Sequence, residues 1–281
     1  MSSPASSPAA SRSVASRVAS AFVAEHRKLV STRMWWILAL VMAVYLAFIG
    51  GVLALSITVT PPGESAPPLV GIDAALSTYG VINAIGYVFP LVVGTLAVTS
   101  EHRHGTIDQT YLAEPRRGVV LLAKLLGTVP VGLFLGVVGT LGLVATAAPV
   151  LAWQGQGAHL DSGRVWQTLL LGVVVTALWA VLGAAFGAVL TNQVAAIVVV
   201  LAFTQFVEPV ARVSLAAFEG VSGVAAYLPG AAADAVVGAS IFSGFGGGDL
   251  LSRWAGALVL LAYVALLGAV GWWRSTRNDV R

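Results

Sequence analysis

WWILALVMAVYLAFIGGVLALSITV, residues Trp35–Val59, runs for 25 positions without a charged side chain. A helix crossing the hydrocarbon layer needs about 20 mostly apolar residues, and a soluble core helix of this length would show a polar face, which this one lacks. The stretch is a membrane span. Five more follow: Tyr79–Thr99, Val119–Leu151, Val165–Leu190, Val194–Val213 and Trp254–Trp273. The third is too long for one perpendicular crossing, which implies tilt or an interfacial start.

Composition agrees. The 281 residues are 58% apolar and 10% charged, where a soluble domain carries about a quarter charged residues. Soluble nucleic-acid binders and disordered chains are excluded, and nucleic acid is not an expected partner. With no cysteine, disulfides, thiolate metal sites and cysteine nucleophiles are excluded too. The expected fold class is all-α, a polytopic membrane protein of six transmembrane helices.

Placement of Lys and Arg sets orientation. Arg12, Arg17, Arg27, Lys28 and Arg33 precede the first span. Arg103, Arg116, Arg117 and Lys124 surround the loop joining spans two and three, and Arg274, Arg277 and Arg281 follow the last. Six crossings put these on one side, leaving Arg164, Arg212 and Arg253 opposite. Both termini are expected to be cytoplasmic, in a bacterial plasma membrane. Val221–Phe245 carries one charge, Asp234, and reads alternatively as a seventh span, but that count moves Arg274, Arg277 and Arg281 outside. Pro229 and the run Gly246–Gly248 suit a re-entrant or interfacial element, so 214–252 is expected to be an outer re-entrant region before the last span.

Residues 1–13, rich in Ser, Ala and Pro, are expected to form a disordered tail. It lacks the short apolar core of a cleaved signal peptide. Over 14–33, Val14, Val18, Phe22 and Leu29 share a helical face with Arg17, Arg27 and Lys28 off it, which suits a cytoplasmic interfacial helix. Glu25 interrupts the apolar stripe unless Lys28 or a neighbour covers it. A simple basic flank orienting the first span is the alternative. The six-helix domain is then 34–281.

The cytoplasmic loop 100–118 is the most specific stretch. Thr106 and Gln109 match a capping box that starts a helix at Ile107, Asp108 complements its first turn, and Pro115 ends it. So short a polar helix needs a partner surface. On Glu101, Gly105 and Thr106, followed by Pro115, Arg116, Arg117 and Lys124, and with support from Glu25, Lys28, the six spans and the outer hairpin, the chain resembles the permease subunits of ABC type-2 exporters. The resemblance implies that this loop is a coupling helix seated in a groove of a separate ATP-binding subunit. Glu101, Arg103, Gly105, Thr106 and Asp108 would form the contact region, closed by Pro115. It further implies efflux, a second permease copy or paralogue in a dimer, and ATP and Mg held by the partner, with no cofactor in this chain. The alternative is that the loop's basic residues hold it inside and bind anionic membrane lipids.

A phosphate-binding loop needs Gly-Lys followed by Ser or Thr. The chain's two lysines, Lys28 and Lys124, are each followed by leucine, so ATPase activity is not expected here. His102 and His104 diverge on a helix and no cysteine or paired carboxylate completes a metal site, so they read as solvated loop histidines. His159, alone in an outer loop, signifies nothing specific. Gly132–Gly136 and Gly183–Gly187 permit close helix approach, within one subunit or between two. Asn83 and Gln205 either line a path or bond backbone on a neighbouring helix. Glu208, about 24 Å along its helix from Asn192, is expected near the outer boundary, where hydration is cheap. The functional alternatives are an ATP-independent secondary transporter or channel, and a membrane anchor for another complex.

Overall fold

The computed structural model describes residues 13–57, 69–216, 218, 222–240 and 250–277. Residues 1–12 of the expected tail, the run Gly246–Gly248 and Arg281 lie outside the described residues. Every regular element among the described residues is helical. Among the described residues six helices are long and apolar enough to cross a membrane, and the protein is a multi-pass integral membrane protein.

Helix α1 (Val14–Ser31) starts at Ser13, whose hydroxyl accepts from the Ser16 N–H. After a bend tied by the Trp35 indole N–H to the Val30 carbonyl, 3.0 Å, span one is α2 (Met34–Ile57). Span two is longer than expected, Gly71–His104. It comprises α3 (Gly71–Val81), a π-helical turn (Ile82–Gly86) and α4 (Val88–His104). The extra turns are polar enough to dilute the hydropathy, but Ala74, Ala75, Thr78 and Tyr79 are buried. The short α5 (Ile107–Ala113) leads to α6 (Arg117–Trp153), 37 residues unbroken through Pro130 and Pro149. At 1.5 Å per residue it is about 55 Å long, well beyond the hydrocarbon thickness.

Span four is α7 (Gly163–Val189). Span five runs through α8 (Gln193–Ala202), a second π turn (Phe203–Val207) and α9 (Glu208–Ala216). Asn192 caps it by accepting from the Ala195 N–H, 3.0 Å. Both π turns have a local cause. A proline ring clashes with the carbonyl four residues earlier and offers it no N–H. For Pro90 that carbonyl belongs to Gly86, for Pro209 to Gln205, and each falls inside a π turn that rewinds the backbone around the clash.

Before the last span, a 3₁₀ turn (Ser222–Tyr227) precedes α10 (Pro229–Val237), every residue of which is buried. Pro229 starts this helix at its first turn rather than interrupting one. At nine residues α10 is too short to cross a bilayer. Span six is α11 (Arg253–Arg277).

Helices α4, α6 and α7 form the centre, with α2 against α6 and α10–α11 against α7. A Cβ added at Gly94 would overlap the Ala180 carbonyl, and one at Gly183 the Leu91 carbonyl, so α4 and α7 touch backbone to backbone. Gly132 and Gly136 of α6 meet Ala177 and Val173 of α7 in the same way. Both expected glycine pairs are thus used within the chain. One apolar core (Tyr87, Leu91, Trp179, Val237, Leu260) joins α4, α7, α10 and α11. A second (Met42, Leu46, Val93, Leu135) joins α2, α4 and α6. Phe48, Leu141 and Phe206 point outward, as hydrocarbon contact requires.

Candidate functional site

At the end of the bundle where α1, α4, α5 and α6 meet, four charged side chains close a ring. Glu25 gives one oxygen to Lys28 (2.6 Å) and the other to Lys124 (2.6 Å). Glu101 does the same, 2.9 Å to Lys28 and 2.8 Å to Lys124. Two carboxylates and two ammoniums alternate, so the ring is neutral. Glu25 is 6% exposed and Lys124 3%, and groups so buried must be paired to remain charged. Burial opposes the Lys28 charge, but its hydrogen bonds to Glu25 and Glu101 outweigh that and hold its pKa above 10.5. The carboxylate that interrupts the α1 stripe is therefore the residue that fixes α1 to α6, with the His26 ring nitrogen against the Gly127 carbonyl, 3.3 Å, alongside.

Helix α5 hangs from this ring. Thr110 donates to Glu101 Oε2 (3.2 Å) and accepts from Lys28 Nζ (3.1 Å). Glu114 pairs with Arg17 at 3.5 Å, and the Arg117 guanidinium lies 4.6 Å from the Tyr111 ring centre. No residue of α5 is buried, and Leu112 is 83% exposed. Cavities flank it on two sides. One of about 200 Å³ is bordered by Asp108, Tyr111 and Arg274. The other, about 1110 Å³, has a charged wall (Arg17, Glu25, Lys28, Glu101) and an apolar one (Trp35, Val93, Leu96).

The loop residues singled out from sequence fall in three groups. Glu101 is buried in the ring. Gly105 (φ +65°) ends α4 in the left-handed region, with Gly105 N–H to the His102 carbonyl (3.4 Å) and Thr106 N–H to the Glu101 carbonyl (3.0 Å). This is the paired closure that glycine permits at a helix end. Arg103 reaches Gln193 at 3.4 Å, while Asp108 and Pro115 are exposed. The expected capping box does not form. Thr106 has helical backbone angles and its side chain makes no cap bond, because the closure at Gly105 already turns the chain. Glu114, before Pro115, is extended and ends α5 as expected. His102 and His104 belong to the last turn of α4, not to a loop, and each rests against a carbonyl four residues back.

Neither models of known protein families nor curated proteins give a match to this chain.

Asn83 and Gln205 come together elsewhere, and with side chains rather than backbone. Asn83 donates to Asp234 (2.5 Å) and accepts from the Trp179 indole (3.3 Å). Gln205 donates to the Tyr87 hydroxyl (3.0 Å), which donates to the Thr204 carbonyl (2.7 Å). Asp234 is paired with Arg212 (2.6 Å) and accepts from Ser240 (2.6 Å). Glu208 is not hydrated as expected. It is 2% exposed, and its Oε1 accepts from the Gly230 N–H at the start of α10. Pattern reading left Glu25, Lys28 and Lys124 outside the site and assigned no role to Asp234 and Arg212. For Lys124, Arg212 and Asp234 a signal existed: each is an isolated charge in an apolar segment, and such charges need partners. Glu25 is marked only by its place in the apolar stripe of α1, and Lys28, beside Arg27, carries no such mark.

Proposed function

We propose that this chain is the membrane-spanning permease subunit of an ATP-driven ABC exporter of the type-2 kind, with α5 as the helix that docks on a separate ATP-binding subunit. The observation that carries the reading is α5 itself: an exposed two-turn helix tied to the ends of three others through the Glu25–Lys28–Glu101–Lys124 ring. Its position among the basic loop residues supports a cytoplasmic face and cytoplasmic termini in a bacterial plasma membrane. A push on α5 is transmitted through Thr110 to Glu101 at the end of span two and Lys124 at the start of span three. Closure of two ATPase subunits then rocks the spans of a permease dimer, and the half-charged, half-apolar 1110 Å³ cavity suits an amphiphilic cargo.

Leu112→Asp tests this. An exposed apolar side chain on a docking helix is a natural anchor, and its loss reduces recovery of the ATP-binding subunit in co-purification by about tenfold or more. Membrane insertion is unchanged. Undiminished recovery refutes docking through α5. One observation favours a second reading, a secondary transporter working without ATP: spans two and five are broken by π turns beside buried Glu208 and Asp234. Uphill solute uptake by the isolated chain in proteoliposomes with an ion gradient would establish that reading and displace the first.

A further inference from the structure

The polar cluster between the two π turns has no part in docking, lying 18 residues, or about 27 Å of helix, from Glu101. Asn83, Tyr87, Gln205, Glu208 and Asp234 border a cavity of about 180 Å³ there. Three charges meet it. Asp234 and Arg212 cancel in their 2.6 Å pair. Glu208 is left over, and its Oε2, fully buried, meets no hydrogen-bond donor. The start of α10 offers the carboxylate the Gly230 N–H, bonded to Oε1, the neighbouring Ala231 N–H and about half a positive charge. Tyr87 and Tyr263 are the other titratable groups near the carboxylate, and both are neutral when protonated. A buried, partly uncompensated carboxylate is unfavourable until a cation or a proton answers it.

We propose that this cavity binds one small monovalent cation, with Glu208 Oε2 as its charged ligand. Sign and size both point that way. The site is net negative by less than one full charge, which repels anions and under-matches a divalent ion. Its volume admits a bare or partly hydrated ion and excludes a lipid or drug-sized molecule. Further oxygens line the cavity: the Gln205 amide N–H donates to the Tyr87 hydroxyl, leaving the Gln205 carbonyl oxygen, and the Tyr87 O–H donates to the Thr204 carbonyl, leaving its oxygen a second lone pair. Carboxylate, amide and hydroxyl oxygens are ligands for a hard cation and acceptors for ammonium.

The structure supplies a reporter. The Trp179 ring stacks on Tyr87 at 4.5 Å and its indole N–H bonds Asn83, so occupancy changes its fluorescence. The full chain in nanodiscs, without partner, is titrated with NaCl, KCl or NH₄Cl against N-methyl-D-glucamine chloride at constant ionic strength. The signal is taken as the difference from Trp179→Phe. One of the three cations is expected to give a saturating change whose midpoint rises at least tenfold in Glu208→Gln. Should that variant fail to fold, Gln205→Leu and Tyr87→Phe each raise the midpoint. No cation differing from N-methyl-D-glucamine overturns the proposal, as do unchanged midpoints in the folded variants. A response to pH alone, lost in Glu208→Gln, also overturns it and makes a proton the occupant. Failure here leaves docking through α5 untouched, since no ATP-binding subunit is present.

Discussion

Lys124→Met removes one corner of the charged ring and keeps the stem's volume. Lys124 lies 2.6 Å from Glu25 and 2.8 Å from Glu101, and its side chain is 3% exposed. At an effective dielectric of about 20, each contact is worth roughly 6 kcal/mol gross, most of it offset by the cost of drying the charges. Taking away one partner leaves that cost standing: Glu25 and Glu101 would then face each other with only Lys28 to neutralise both. The expected loss is about 3–5 kcal/mol, a fall in Tm of roughly 10 °C for a chain of this size, read by intrinsic fluorescence in nanodiscs. Adding Glu25→Gln restores neutrality, because Glu101 and Lys28 remain paired at 2.9 Å. The double variant should therefore recover more than half of the loss, although two side chains have been changed. A Lys124→Met protein within about 1 kcal/mol of the parent would refute the ring as a buried electrostatic unit, and so would a double variant whose losses simply add.

Thr106→Ala should shift Tm by no more than the equivalent of about 0.5 kcal/mol, since the hydroxyl makes no cap bond. Gly105→Val, at φ +65°, should cost about 1–2 kcal/mol or more and expose α5 to limited proteolysis. Equal effects of the two would refute the closure at Gly105. Gly183→Leu drives a side chain into the Leu91 carbonyl and should abolish monodisperse protein on size exclusion, whereas Gly163→Leu, with open space around it, should not. Because Lys28 titrates above 10.5 in the fold, its contribution is complete below that value and is lost as pH rises through the higher folded pKa. Above about pH 10.5 the parent should lose Tm more steeply than Lys28→Met, and parallel curves would refute the assignment.

The spans were legible because lipid demands long uncharged runs, and no packing detail changes that demand. The start of span two was not, since Asp73, Ser77 and Gly80 dilute α3, whose burial comes from neighbours rather than from its own sequence. Pro90 and Pro209 did mark the π turns, but a proline alone does not say whether a helix kinks, ends or rewinds. At the site, the existence and ends of α5 could be read from Ile107 and Pro115, while its capping could not, because a Gly closure and a Thr cap compete for the same turn. The ring was hidden for a different reason. Glu101 is 73 residues from Lys28, and Glu25 is 99 from Lys124. A one-dimensional pattern shows a stranded charge but not which distant one answers it. The pairing of Asn83 with Asp234, 151 residues apart, is hidden in the same way.

Where α4, α6 and α7 press together through glycine, there is no side-chain cushion to compress, and a slide of one residue would drive carbonyls into one another. These three form a keel that turns as a single body or not at all. Span five has no such seam: Val194, Val198, Phe206 and Val210 face outward, and its ties inward run through side chains such as Gln205, Glu208 and Arg212. Deformation is cheapest along that span, so it is the rib that flexes when the keel tips.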